Sequence, residues 1–194
     1  MRTVVNTAAF IMNAAVIAGG IGLALQSNKA HANLGLFKHD LTILQAMTVG
    51  DKSTHELRSV RKNSYTHLGS LKIYNSSINN LKNVGSTRIY EQNKIDSFGL
   101  IGSVKIYESE LGSGWTVGST EITNSSIKAI EIKADTITLN NSVISADVVI
   151  SNAQNGHDSV VNINSSHIGG KLICKSHCVI NKTSDSEIDG GIVN

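Results

Sequence analysis

Short apolar stretches that alternate with polar residues recur along this chain at a nearly fixed interval. The phrase GSLKIY begins at Gly69, and variants of it begin at Gly85, Gly102 and Gly118, every 16 or 17 residues. Alternation of apolar and polar positions predicts β-strands, and the Gly-Ser and Asn-Ser-Ser stretches between them predict tight corners. Each unit is therefore predicted to contain three short strands separated by corners.

Two apolar columns define the repeat. The first column contains the isoleucine of the phrase and its counterparts: Ile73, Ile89, Ile106, Ile122, Leu139, Ile163 and Ile180. The second column follows five residues later: Ile78, Leu111, Ile127, Ile144 and Ile168. One interval of the first column is 24 residues, because extra turn-forming residues fall around 151–156. An outward loop can absorb such an insertion without disturbing stacked units.

Each unit is too small to bury its own apolar face, so neighbouring units must stack. We predict an all-β fold, a single parallel β-solenoid of about seven short coils over residues 69–194. Residues 33–68 fit the repeat badly and are predicted to form an N-terminal cap or an irregular first coil, because an open solenoid end exposes unpaired strand edges. An antiparallel sandwich is the alternative, but sandwich strands do not carry one phrase at a fixed period.

Composition agrees with a single domain of this kind. The chain has 194 residues, of which 40% are hydrophobic and 4% aromatic, and it contains no proline. A core with few aromatic residues must be built from Ile, Val and Leu, which favour the extended backbone.

Two resemblances follow from these repeats. Residues 131–151, EIKADTITLNNSVISADVVIS, resemble the haemagglutinin-type repeats of large secreted bacterial adhesins. The size of the chain and its short coils are also similar to those of bactofilins, small bacterial β-solenoids that polymerise end to end. These resemblances concern architecture and transfer no functional residues. They imply a β-solenoid with an adhesive or self-assembling role.

The first 32 residues have the pattern of a signal peptide. Arg2 precedes an apolar stretch at residues 8–25, and Ala30-His31-Ala32 matches the sequence after which signal peptidase cuts. We therefore expect export to the periplasm, the cell surface or the medium. The alternative is an uncleaved anchor, since the apolar stretch of 18 residues lies at the lower limit for crossing a bilayer. A membrane is an expected partner only in that case.

Charge is distributed unevenly along the chain. Residues 33–94 contain 9 basic and 4 acidic side chains, whereas residues 95–194 contain 6 and 11. Because coil order follows chain order, the rod is expected to have a positive and a negative half, which favours head-to-tail contacts that grow into filaments. The alternative is an uneven, solvated surface. From residue 33 onward the formal charge is zero, so the balance provides no specific signal for nucleic acid.

Alternation places two outward columns beside the isoleucines. One column contains Lys72, Arg88, Lys105 and Glu121, and the other contains Tyr74, Tyr90, Tyr107 and Thr123, so three cations lie beside three tyrosines. Tyrosines stack on sugars or bases and cations attract acidic groups, so this stripe is a candidate binding site for a glycan or another cell-envelope polymer. The alternative is that the tyrosines only stabilise neighbouring strands.

Two cysteines lie four residues apart, at Cys174 and Cys178. With residues 175–177 as a corner they can approach closely enough for a disulfide, which export to an oxidising compartment favours. A metal site that includes His177 would need a fourth ligand. We therefore predict neither a metal nor a cofactor.

The sequence shows no nucleophile elbow, phosphate-binding loop or catalytic triad order, and we predict no catalytic residues. Glu108 and Glu110 share a face by spacing and would be the acid/base pair of a polysaccharide-modifying enzyme, which is the third hypothesis. The first hypothesis is an exported bacterial structural or adhesive surface protein that self-assembles. The second is a polymer-binding module that uses the Lys/Tyr stripe.

Overall fold

A computed structural model describes residues 54–151 and 158–194, and every regular element in these residues is a β-strand. The predicted signal peptide or anchor at 1–32, residues 33–53 of the predicted cap, and residues 152–157 lie outside the described residues.

The first five coils each contain one short strand and one long strand. In chain order these strands are β1 (His55–Arg58), β2 (Arg61–Leu68), β3 (Leu71–Tyr74), β4 (Ser77–Val84), β5 (Thr87–Tyr90), β6 (Lys94–Ile101), β7 (Val104–Tyr107), β8 (Glu110–Val117), β9 (Thr120–Thr123) and β10 (Ser126–Lys133). The second and third strands predicted for each unit are thus one continuous strand of eight residues here. The strand bends where two successive residues, Asn79 and Asn80 in β4, are both exposed.

The last three coils each contain three strands. These are β11 (Thr136–Asn140), β12 (Val143–Ile144), β13 (Val148–Ser151), β14 (Ser159–Asn164), β15 (His167–Ile168), β16 (Leu172–Cys174), β17 (Cys178–Lys182), β18 (Glu187–Ile188) and β19 (Ile192–Val193). In these coils the strand is interrupted at the position where the long strand bends in the earlier coils. Three residues between β12 and β13, 145–147, lie opposite only two residues of β10, 128 and 129.

All strand pairs are parallel and join the same positions of successive coils. The short strands form an eight-stranded sheet from β1 to β17, and the remaining strands form an eleven-stranded sheet. The predicted all-β parallel solenoid is confirmed. It has eight turns instead of about seven, because residues 55–68 form a regular coil in which His55 pairs with Leu71 and Arg61 with Ser77.

The core lies between the two sheets and consists of stacked aliphatic columns. Ile73, Ile89, Ile106 and Ile122 are each fully buried, as the alternation predicted. One member of that column is wrong: Ile180 pairs with Val161, whereas Lys182 stands opposite Ile163. The glycine phrase is absent from the last coil, so the sequence offered no reference point for this two-residue difference.

The corner after each short strand is closed by a column of buried polar side chains. Its members are Ser76, Asn93, Ser109, Ser125, Ser142, Ser166 and Ser186. The backbone N–H of each donates to the side-chain oxygen of the next, as from Ser109 to Ser125 Oγ at 3.2 Å. The Ser125 hydroxyl in turn donates to the carbonyl of Thr123 at 2.8 Å. These bonds satisfy backbone groups that a sharp corner removes from the strand ladder.

The residue before each of the first six corner members has a left-handed backbone. Asn75 and Asn124, at φ of 45° and 50°, show why the corners read Asn-Ser-Ser, because asparagine tolerates this conformation better than most residues. The opposite corner uses the glycine of the phrase. Gly102 has φ of 119°, and a Cβ there would lie 2.5 Å from the carbonyl oxygen of Gly85. The phrase recurs because each coil places a glycine on the glycine of the coil before.

Replacement of Ser125 by alanine should lower the free energy of unfolding by about 1–3 kcal/mol, because the buried N–H of Ser109 would lose its acceptor. Urea unfolding followed by circular dichroism measures this loss. Ser126→Ala is the matched control, since Ser126 is adjacent in sequence but exposed, and it should change stability by less than about 0.5 kcal/mol. Equal losses in the two variants would contradict a structural role for the corner column.

Candidate functional site

The predicted cation column lies on the outer face of the eight-stranded sheet. Lys72 pairs in register with Arg88, and Arg88 with Lys105. The residue before this run, which the sequence pattern did not indicate, is acidic. Glu56 of β1 stands opposite Lys72, and Glu121 of β9 stands opposite Lys105. The column is therefore three cations with a carboxylate at each end.

The predicted tyrosine column is a continuous stack. The ring centroids of Tyr74 and Tyr90 are 5.3 Å apart, and those of Tyr90 and Tyr107 are 5.2 Å apart, with the ring planes 21° and 7° from parallel. The guanidinium carbon of Arg58 lies 4.0 Å from the Tyr74 ring centroid. The ring faces thus contact one another and Arg58. This is the cross-strand stacking named above as the alternative.

One end of the cation column is neutralised by Glu121. The Lys105 ammonium lies 2.7 Å from Glu121 Oε2, and the Tyr107 hydroxyl donates to Glu121 Oε1 at 3.2 Å. The hydrogen bond from Lys105 lowers the pKa of the Glu121 carboxyl, and the same bond raises the pKa of Lys105. Partial burial, followed by the charge of Glu121, raises the pKa of the Tyr107 hydroxyl. These three side chains form one closed cluster.

At the other end of the column the charge of Glu56 is neutralised within β1, where Glu56 forms an ion pair with Arg58. Lys72 and Arg88 lie between the two neutralised ends. In residues 54–151 and 158–194 no carboxylate forms an ion pair with either of them. Two of the six predicted stripe residues, Lys72 and Arg88, are therefore cations without an ion pair among the described residues. Lys105 and Tyr107 differ from them, because their polar groups already bond to Glu121.

A second surface lies at the C-terminal end of the solenoid. Strands β17, β18 and β19 each pair on one side only within the described residues. Side chains that a further coil would cover are solvent-exposed there, including Val179 at 41%, Ile192 at 48% and Val193 at 42%. The backbone groups on the outer edges of these strands are open to pairing, which makes this end a candidate interface.

The first coil closes the opposite end differently. Its inward-facing side chains include His55, Tyr65 and His67, whose ring centroids lie 5.4–6.3 Å apart. These rings pack over the apolar core and carry polar atoms at their edges. The first and last described coils therefore differ, since the first carries aromatic rings with polar atoms at inward positions and the last exposes aliphatic side chains.

The disulfide prediction concerns the corner before the last coil. The sulfurs of Cys174 and Cys178 are bonded, and their Cα atoms are 6.1 Å apart. The bond closes the turn between β16 and β17, so it links the last coil to the coil before it. With both sulfurs in the disulfide, neither is a free thiolate that could bind a metal with His177.

One group in the described residues could hold a metal ion, and it includes neither His177 nor the two cysteines. It consists of His167, Glu187 and Asp189, whose ligand atoms lie within 4.8 Å of one another on the last two coils. His167 Nε2 and Asp189 Oδ1 are 2.9 Å apart, so these two groups already satisfy each other. All three side chains lie at the surface.

The two glutamates of the enzyme hypothesis occupy different settings. Glu108 is exposed at a corner, with φ of 47°, whereas Glu110 begins β8 and lines a shallow groove of about 340 Å³ on the eleven-stranded sheet. The groove also contains Asp96, Lys94 and Lys128, so its lining has mixed charge. Glu108 is not part of this lining.

Replacement of Lys105 by alanine should raise the pKa of the Glu121 carboxyl toward its ordinary value, because the hydrogen bond that lowers it is lost. In the parent protein the folded pKa lies below that of the unfolded chain, so the pair stabilises the fold above a pH of about 4.3. That contribution is lost as the pH falls through the folded pKa. Titration of the Glu121 carboxyl carbon by NMR tests this, with Lys128→Ala as the control. An unchanged pKa in Lys105→Ala would contradict the assignment.

The described residues contain no helix that is long and apolar enough to cross a membrane. No protein-family model, curated protein or solved structure matches this chain.

Proposed function

We propose that this protein is an exported structural or adhesive surface component whose solenoids associate head to tail. The observation that supports this most directly is the last coil, whose three strands pair on one side only among the described residues and whose aliphatic side chains are exposed. A second copy that continues the coil series would cover this surface and pair its backbone groups. Association of an end with a different end does not close and yields filaments.

Charge on the two terminal coils favours this orientation. Residues 54–68 contain three basic side chains and one acidic side chain, a net charge of +2 with neutral histidines. Residues 178–194 contain one basic side chain, Lys182, and three acidic ones, a net charge of −2. Head-to-tail contact brings these opposite charges together, whereas tail-to-tail contact would bring two negative coils together.

Continuation of the register predicts which residues meet. Arg61 occupies the first position of its long strand, as Ser77 does in the next coil, and Glu187 occupies the same position in the last coil. A following copy would therefore place its Arg61 beside Glu187. By the same register its Tyr65 would lie over the exposed Ile192.

Lys182 limits the strength of such a contact. It occupies an inward position of the last coil, and its ammonium donates to the carbonyl of Ser186 at 2.5 Å. An inward-pointing lysine on an edge strand opposes uncontrolled pairing. The contact that we propose is therefore reversible and sensitive to salt. The end-to-end polymerisation of bactofilins and the adhesive role of haemagglutinin-type repeats are the known precedents for such solenoids.

The mass of the chain from residue 33 onward should increase with concentration at low salt and return to that of a monomer at high salt. Light scattering over a range of concentrations measures this. Arg61→Glu and Glu187→Arg should each weaken assembly, because either change places like charges at the contact, and the double variant should restore it. Lys128→Glu, on the side of the rod, is the control and should assemble normally.

A monomer under every condition would contradict the proposal. A mass that stops at the dimer would also contradict it, since that result indicates a symmetric contact between identical ends.

A further inference from the structure

Lys72 and Arg88 lie at the centre of a second candidate site, which does not depend on self-association. The two cations are adjacent in register, at the spacing of neighbouring strands, about 4.8 Å. Like charges directly opposite each other on a sheet are unfavourable. An anionic ligand that bridges them would relieve this repulsion. Arg88 is exposed and Lys72 is half-buried, so the Arg88 guanidinium and the Lys72 ammonium can both reach such a ligand.

The carboxylates at the ends of the column restrict the position of the anionic groups. Glu121 neutralises Lys105, and Glu56 neutralises Arg58. A ligand with several negative charges is therefore attracted most strongly to the two central coils, because the ion-paired coils on either side attract it little. The two cations hold one or two carboxylates of a longer chain, and the rest of that chain lies over the neutral coils.

Hydrogen-bonding groups extend the site along the rod axis. Tyr74 and Tyr90 lie two residues along the strands from Lys72 and Arg88, on the same face of the sheet. The remaining positions of the same two columns, toward the C-terminal end, are neutral and polar: Thr123, Asn140, Asn164, Thr138, Asn162 and Asn181. The amides form interstrand bonds of 2.9 Å, as between Asn164 and Asn140, but each has further donors and acceptors available. This face thus offers hydroxyl and amide groups on six of the eight described coils.

Ring geometry distinguishes between the two kinds of linear polymer that carry negative charge. Single-stranded nucleic acid is bound through base stacking on exposed aromatic faces. The faces of Tyr74, Tyr90 and Tyr107 contact one another instead. A polysaccharide with carboxylate groups requires no open ring face, because its carboxylates suit the cations and its hydroxyls suit the tyrosine edges and the asparagines.

We infer that the outer face of the eight-stranded sheet binds a carboxylated polysaccharide lengthwise, with Lys72 and Arg88 holding its carboxylates. The tyrosine hydroxyls and the asparagine columns bind its hydroxyl groups. The tyrosine stack itself is the support that keeps the two hydroxyls in line.

Binding of the full chain to polygalacturonate, measured by calorimetry at low salt, tests the inference. Lys72→Ala/Arg88→Ala should weaken binding by about tenfold or more, since it removes two charge-assisted hydrogen bonds whose contribution exposure to solvent reduces. Tyr90→Phe keeps the stacked ring but removes the hydroxyl, so it should weaken binding by a smaller factor. Lys128→Ala/Lys133→Ala, which removes two cations from the other sheet, should bind as the parent protein does.

Circular dichroism and the urea midpoint of each variant show whether the fold is retained, and scattering shows whether assembly is unchanged. Absence of binding to polygalacturonate at low salt would overturn the inference. Equal loss in the two double variants would also overturn it, because attraction would then reflect general charge. Binding of single-stranded DNA as tightly as polygalacturonate would indicate nucleic acid and would overturn it too.

Discussion

In-register stacking of parallel coils is the constraint on which the rest of this structure depends. Each strand bonds to the same position of the coils before and after it, so every side chain lies over its counterpart one coil away. Inward positions must then hold side chains of similar shape, as Ile73 and Ile89 do. The corners obey the same rule, because the side chain of Ser125 accepts the backbone N–H of Ser109. A corner without such an acceptor would leave a buried N–H unpaired.

The same stacking determines what the outer surface can offer. Rings at one position contact each other, as Tyr90 and Tyr107 do, and amides at another position bond to each other. Like charges are also brought together, and the chain limits the resulting repulsion by placing Glu56 and Glu121 at the ends of the cation column. A functional surface on this fold is consequently a column of repeated groups, which suits a linear ligand better than a compact one.

The ends of the solenoid are where the stacking rule no longer specifies the neighbour, and these are the regions that sequence reasoning described least well. The first coil lacks the glycine phrase, and its inward positions hold His55, Tyr65 and His67, so it did not appear as part of the repeat. In the last coil Lys182 replaces an aliphatic residue. Among the described residues these two coils have a neighbouring coil on one side only, so stacking constrains their side chains less than it does in the other coils.

The sequence by itself determined the β-solenoid, its period and the inward isoleucine column, because a fixed interval of apolar positions admits few other folds. It also indicated the Lys/Tyr columns and the proximity of Cys174 and Cys178. Only the tertiary structure decided that the tyrosine faces contact each other and that Lys105 is neutralised by Glu121. Register alone does not specify ring orientation or the choice of ion-pair partner, since both depend on side-chain conformations that neighbouring coils select together.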